Sequence, residues 1–71
     1  MLEDFGTFFE LYVDDDRYVV PTLRFFIAIN EMQARQMAAR LLTESPHHLG
    51  VEVRVGDRRV DALGSFATRR S

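Results

Sequence analysis

Two histidines stand side by side at His47-His48, and three aspartates run from Asp14 to Asp16. These are the residues whose types suggest metal chemistry first. Zinc takes three or four ligands, and adjacent histidine side chains tend to diverge. Glu44 is the only carboxylate close in sequence to the histidines, there is no cysteine, and the helical H-E-x-x-H spacing is absent. The plainer reading, two solvated loop histidines, is the better one. A calcium loop of the EF-hand kind needs ligands spread over about 12 residues and a closing glutamate, which the aspartate run lacks. It reads instead as a hairpin turn with a negative tip.

Nucleophilic catalysis needs a nucleophile, a base and a group that orients the base. The hydroxyl residues are Thr7, Thr22, Thr43, Ser45, Ser65, Thr68 and Ser71, and only Ser45 is close in sequence to a histidine. Its place before Pro46 suits the end of a helix better than catalysis. No glycine-rich phosphate loop is present. The sequence therefore predicts no catalytic residue, no metal ligand and no cofactor, and so no enzyme.

Arg54, Arg58 and Arg59 cluster near the C-terminus, with Arg69 and Arg70 beyond them. Such a patch could contact nucleic-acid phosphates. Only Phe66 lies near as a base-stacking aromatic, and Glu52, Asp57 and Asp61 dilute the charge. A solvated, mutually paired charged surface is the more economical reading. All nine basic residues are arginine. Residues 1–16 carry a charge balance of −6 and residues 17–71 one of +4. The total of −2 gives no general attraction to nucleic acid.

The chain of 71 residues is one domain's worth, and so short a domain buries only about 60% of its unfolded surface. No disulfide can supplement the core. The acidic start "MLEDFG" lacks the basic and apolar regions of a signal peptide, and no apolar run approaches the length of a membrane helix. A soluble cytoplasmic protein is the expectation.

The elements that position these side chains follow from periodicity. Thr7 to Val13 reads as a strand, with Phe9, Leu11 and Val13 on one face and Phe8, Glu10 and Tyr12 on the other. After the aspartates, "RYVVPTLRFFIAI" reads as the second strand of a hairpin, at a sheet edge or bulged at Pro21. Asn30 caps a helix with Gln33 reaching back, and Ala34, Met37, Ala38, Leu41 and Leu42 form its apolar stripe. Glu31 and Arg35 are an i,i+4 pair. Val51 to Val55 alternates, Gly56-Asp57 suits a type II′ turn, and Arg58 to Leu63 returns. In that register Val53 faces Val60, Val51 faces Ala62, Arg54 faces Arg59 and Glu52 faces Asp61.

The sum is an α+β fold of ββαββ order: a four-stranded, mainly antiparallel sheet with one helix on one face. Strand order 2-1-3-4 makes all neighbours antiparallel. Residues 1–6 form an N-terminal segment, 7–63 the domain and 64–71 a flexible tail.

"EVRVGDRRV", Glu52 to Val60, resembles the end of small uncharacterised bacterial proteins of similar length. Their last hairpin has the form E-L-W-x-G-x-R-x-V, matched here by Glu52, Val53, Gly56, Arg58 and Val60. "QMAARLL" is similar to their helix. Arg54 departs from the pattern, standing where an aromatic is usual. The resemblance implies the ββαββ fold and a bacterial origin, and no activity.

"RFFIAIN", Arg24 to Asn30, holds five apolar residues in a row where a strand with one wet face should alternate. If Leu23, Phe25, Ile27 and Ile29 face the helix, then Phe26 faces away beside Phe8 and Tyr12, with Arg24 at the margin. One helix cannot cover both faces of a sheet. The expectation is a protein-binding surface of Phe8, Tyr12, Arg24 and Phe26, covered by a second copy or another protein. The competing reading is that Leu2, Phe5 or Phe66 folds over it. The sequence thus points to a small non-enzymatic interaction module that forms a homodimer. The alternative is a nucleic-acid-associated protein using Arg54, Arg58 and Arg59.

Overall fold

The computed structural model describes residues 6–68. Strand β1 spans Thr7–Asp15, β2 Thr22–Ala28, helix α1 Glu31–Thr43, β3 His48–Val55, β4 Arg58–Gly64 and a final helical turn, α2, Ser65–Thr68. The strands form one antiparallel sheet in the order β2-β1-β3-β4, with α1 across one face. This is the expected ββαββ fold and strand order. β2 is an edge strand, and Pro21 lies just before its first residue.

The helix forms where the sequence places it. Asn30 Oδ1 accepts from the Gln33 backbone N–H at 2.8 Å, and Gln33 Oε1 accepts from the Ile29 N–H at 2.8 Å. Ala34, Ala38 and Leu41 are buried, with Met37 and Leu42 packed beside them. They meet Phe9, Leu11 and Val13 of β1, Ala28 of β2, and Val51 and Val53 of β3. Leu11, Val13, Val51 and Val53 at the sheet centre are fully enclosed.

The second strand departs from expectation. It starts at Thr22, and residues 16–21 are a connection rather than strand. The pairing sets Phe9 opposite Phe26, Leu11 opposite Arg24 and Val13 opposite Thr22. Antiparallel partners share a face, so Phe26, Ala28 and Arg24 lie on the helix side. Leu23, Phe25 and Ile27 lie on the other, the reverse of the expected facing. A strand apolar on both faces carries no alternation to set its register. The register is decided by β1 and by the close approach of α1, which places Ala28 against Ala34 and Ala38 in one buried cluster.

Two bulges adjust the remaining pairs. Arg54 faces Arg59 as expected, but Val60 is an extra residue on β4. Val53 then faces Asp61, Glu52 faces Ala62 and Val51 faces Leu63. The shift carries Asp61 to the helix face, where Arg35 Nε lies 3.7 Å from its carboxylate. The turn has positive φ at Gly56 and at no non-glycine residue, as type II′ demands. On β3, Leu49 is the extra residue between the Asp14–Gly50 and Asp15–His48 pairs.

Residues 64–68 are more ordered than a loose tail. Ser65 Oγ donates to Asp14 Oδ2 at 2.6 Å, and Phe66 is 6% exposed. Gly64 adopts φ +61, and a Cβ there would meet the Leu49 carbonyl oxygen at 2.3 Å. Phe66 lies outside the helix-side core, and α2 packs on β3 and β4. The turn therefore packs at one end of β3 and β4, where Ser65 meets Asp14. Leu2 and Phe5, expected as an alternative cover, lie outside the described residues, as do Arg69 and Arg70.

Candidate functional site

The β1–β2 half of the open face carries an apolar patch. Phe8 is 66% exposed, Phe25 62%, Ile27 55% and Leu23 42%. Phe8 faces Ile27, and Tyr12 faces Leu23, across the two strands. Ile29 extends the row beyond β2 and is also exposed. Two largely exposed phenylalanines plus three aliphatic side chains present about 500 Å² of apolar surface. Among the described residues nothing lies over them.

Phe8 and Tyr12, two of the four expected docking residues, stand on this face. Arg24 and Phe26 do not. They lie on the helix side, with Phe26 packed against the core and Arg24 at the sheet edge. The apolar open face gains Leu23, Phe25 and Ile27 in their place. The signal that could have revealed this is the small residue Ala28, which suits the close helix approach made by Ala34 and Ala38.

The rim on the β3 side is charged and balanced. Glu52 accepts from Arg59 Nε at 2.7 Å and from Arg54 Nη1 at 3.4 Å, and Arg54 Nη2 also donates to the Asp57 carbonyl. Glu10 sits opposite Arg54 across β1 and β3. Arg58 lies on the other face and pairs with Glu31, not Arg35 with Glu31 as expected; that guanidinium holds the Glu31 carboxyl below its ordinary range. The three hairpin arginines are thus divided between two faces, and each is paired.

The aspartate run is not a negative tip. Asp14 and Asp15 are part of β1, and Asp15 is only 4% exposed. Arg17 grips Asp15 by three donors: its backbone N–H at 2.9 Å, Nε at 3.0 Å and Nη2 at 2.7 Å. This hydrogen bonding holds the Asp15 carboxyl well below the usual range. Asp16 takes His47 Nδ1 at 2.8 Å. The histidines are not two solvated loop residues either. His48 opens β3, its side chain is 6% exposed, and its Nδ1–H donates to the Leu41 carbonyl at 2.7 Å.

Among the described residues no group of three or more His, Asp or Glu is placed to hold a metal. Among them, too, no helix is long and apolar enough to cross a membrane. No protein-family model, no curated protein and no solved structure matches this chain.

Proposed function

We propose that this protein is a small non-enzymatic interaction module that self-associates through the open face of its sheet. One observation carries the reading: the more apolar side of β2, with Leu23, Phe25 and Ile27, is turned away from the helix and joins Phe8. A chain that served only its own core would bury that side. Two such patches brought face to face would bury about 1,000 Å² from these side chains alone, the size at which specific interfaces begin. Two sheets stacked at a spacing of about 10 Å allow it. The rim favours a second copy over a strongly charged partner, because Glu10 and Glu52 balance Arg54 and Arg59. Two-fold symmetry then brings like apolar patches together.

Sedimentation equilibrium across a micromolar concentration series tests this. A monomer–dimer equilibrium is expected, since micromolar association corresponds to about 8 kcal/mol. A monomer throughout the series contradicts it.

Nucleic-acid binding through Arg54, Arg58 and Arg59 is the less favoured reading, because their charges are already paired with Glu52 and Glu31. A gel shift with random duplex DNA that weakens steeply with salt would favour it.

A further inference from the structure

The free edge of the sheet at β2 forms, together with α1, a second surface that is separate from the apolar patch. β2 runs in unbroken register with β1 from Thr22 to Ala28, and among the described residues no strand lies on its other side. The main-chain N–H and C=O groups of every second residue therefore point outward without a sheet partner. Exposed edges usually carry a device against strand pairing, such as a proline, a bulge or several charges. The opposite edge, β4, has a bulge at Val60 and charges at Arg58, Arg59 and Asp61. Within β2 there is no proline, no bulge and a single charge, Arg24.

Beside this edge, on the helix side, is a cavity of about 230 Å³. It is lined by Arg24 and Phe26 of β2 and by Met37, Arg40, Leu41 and Glu44 of α1, with no residue of β1, β3 or β4. α1 leans chiefly on β3, which leaves room between the helix and the end strand. Phe26, Met37 and Leu41 supply the apolar lining. Arg24 and Arg40 against Glu44 leave one net positive charge. Neither guanidinium has a hydrogen bond or ion pair among the described residues. Asp15, which shares another cavity with Arg24, is already held by Arg17.

Strand pairing turns these features into a sequence preference. Arg24 and Phe26 are two residues apart on the same face of one strand. A strand added to β2 sets its own residues directly opposite them, on that face and also two residues apart. An apolar side chain opposite Phe26 enters the cavity, whose volume exceeds the roughly 150 Å³ that takes up benzene. A carboxylate opposite Arg24 meets an unpaired guanidinium. A second copy of β2 cannot supply it, because Thr22–Ala28 contains no acid. We infer that the groove between β2 and α1 binds an extended peptide of another protein by antiparallel strand addition. The groove reads an aromatic or large aliphatic residue and, two positions further on, an acidic one.

Titration with the synthetic peptide acetyl-STFTDTS-amide, followed by ¹H–¹⁵N NMR at constant ionic strength, tests the assignment. Saturable shifts are expected at Arg24, Phe26, Met37 and Leu41, with slower hydrogen exchange at every second amide of β2. Replacing the peptide's aspartate by asparagine should weaken binding about tenfold, for loss of a charge-assisted pair. Arg24→Gln should fold as the native chain does, by circular dichroism. It should bind the peptide about tenfold more weakly and no longer distinguish aspartate from asparagine. Shifts that stay linear with concentration would overturn the proposal. So would an asparagine peptide that binds as tightly, or binding that leaves β2 exchange unchanged. Outward β2 amides already slow in the free protein would overturn it too. The edge would then be held by a second copy if dilution releases them, and by the chain's own residues 1–5 if it does not. Self-association through the apolar patch is read separately, by sedimentation of the same samples without peptide.

Discussion

At the scale of single residues, the polar cluster at Asp15 shows how a turn-like sequence becomes interior. Three consecutive aspartates favour a turn. Arg17, two residues on, instead supplies enough donors to let Asp15 enter the strand and stay buried. Nothing in the spacing of "DDDR" distinguishes a solvated turn from this arrangement, because the choice depends on His48 arriving opposite Asp15 from 33 positions away. The cluster predicts a pH response. A carboxyl held below its unfolded value of about 3.9 contributes stability that is fully present above that pH. The contribution is lost as pH falls from about 4 toward the lowered native value. Thermal midpoints of the native protein should therefore drop below about pH 4. Asp15→Asn should lower the midpoint at neutral pH and flatten this acid limb. An acid limb as steep in Asp15→Asn as in the native chain would show that Asp15 is not its source.

At the scale of elements, periodicity carried the helix and the turn of the last hairpin, but not the hairpin's register beyond Arg59, which the bulge at Val60 shifts. Asn30, Gln33 and the Ala34–Leu42 stripe define α1, so its buried face was legible. Leu41→Ala should cost about 2–5 kcal/mol, by urea or thermal melting, because the core around Leu41 is closed. An unchanged midpoint would mean that Leu41 does not face the sheet.

Glycines at two turns separate conformation from space. Gly56→Ala meets open space but must hold φ +59, so a loss of about 1–2 kcal/mol is expected. Gly64→Ala adds to that strain a Cβ 2.3 Å from a backbone oxygen, and should cost more and release α2 from the sheet. Equal losses in the two variants would show that α2 does not lean on β3. The ordering of α2 was not legible because Ser65 and Phe66 carry no periodic pattern. Their order comes from contacts with Asp14 and Gly50, distant in sequence.

At the scale of the whole molecule, the architecture was legible and the make-up of the apolar open face only half so. Phe8 and Tyr12 could be placed because β1 alternates. Phe25 and Ile27 could not, because β2 is apolar on both faces and its facing is set by the register with β1. A shift of one residue exchanges every side chain between core and surface. This is why Arg24 and Phe26 trade places with Leu23, Phe25 and Ile27. The exchange strengthens the case for a partner, since it leaves more apolar area on the open face.

Phe25→Glu, compared with the native protein by sedimentation and circular dichroism, tests that account most directly. A carboxylate at Phe25 sits outside the intramolecular core but at the centre of the patch. Burying it unpaired between two copies costs several kcal/mol, enough to abolish a micromolar dimer. The native protein should be a dimer at high micromolar concentration, and Phe25→Glu a folded monomer. Phe26→Glu, which drives a charge beneath α1, should unfold the chain instead. A native protein that is monomeric at high micromolar concentration, or a Phe25→Glu variant that dimerises as the native chain does, would contradict the account.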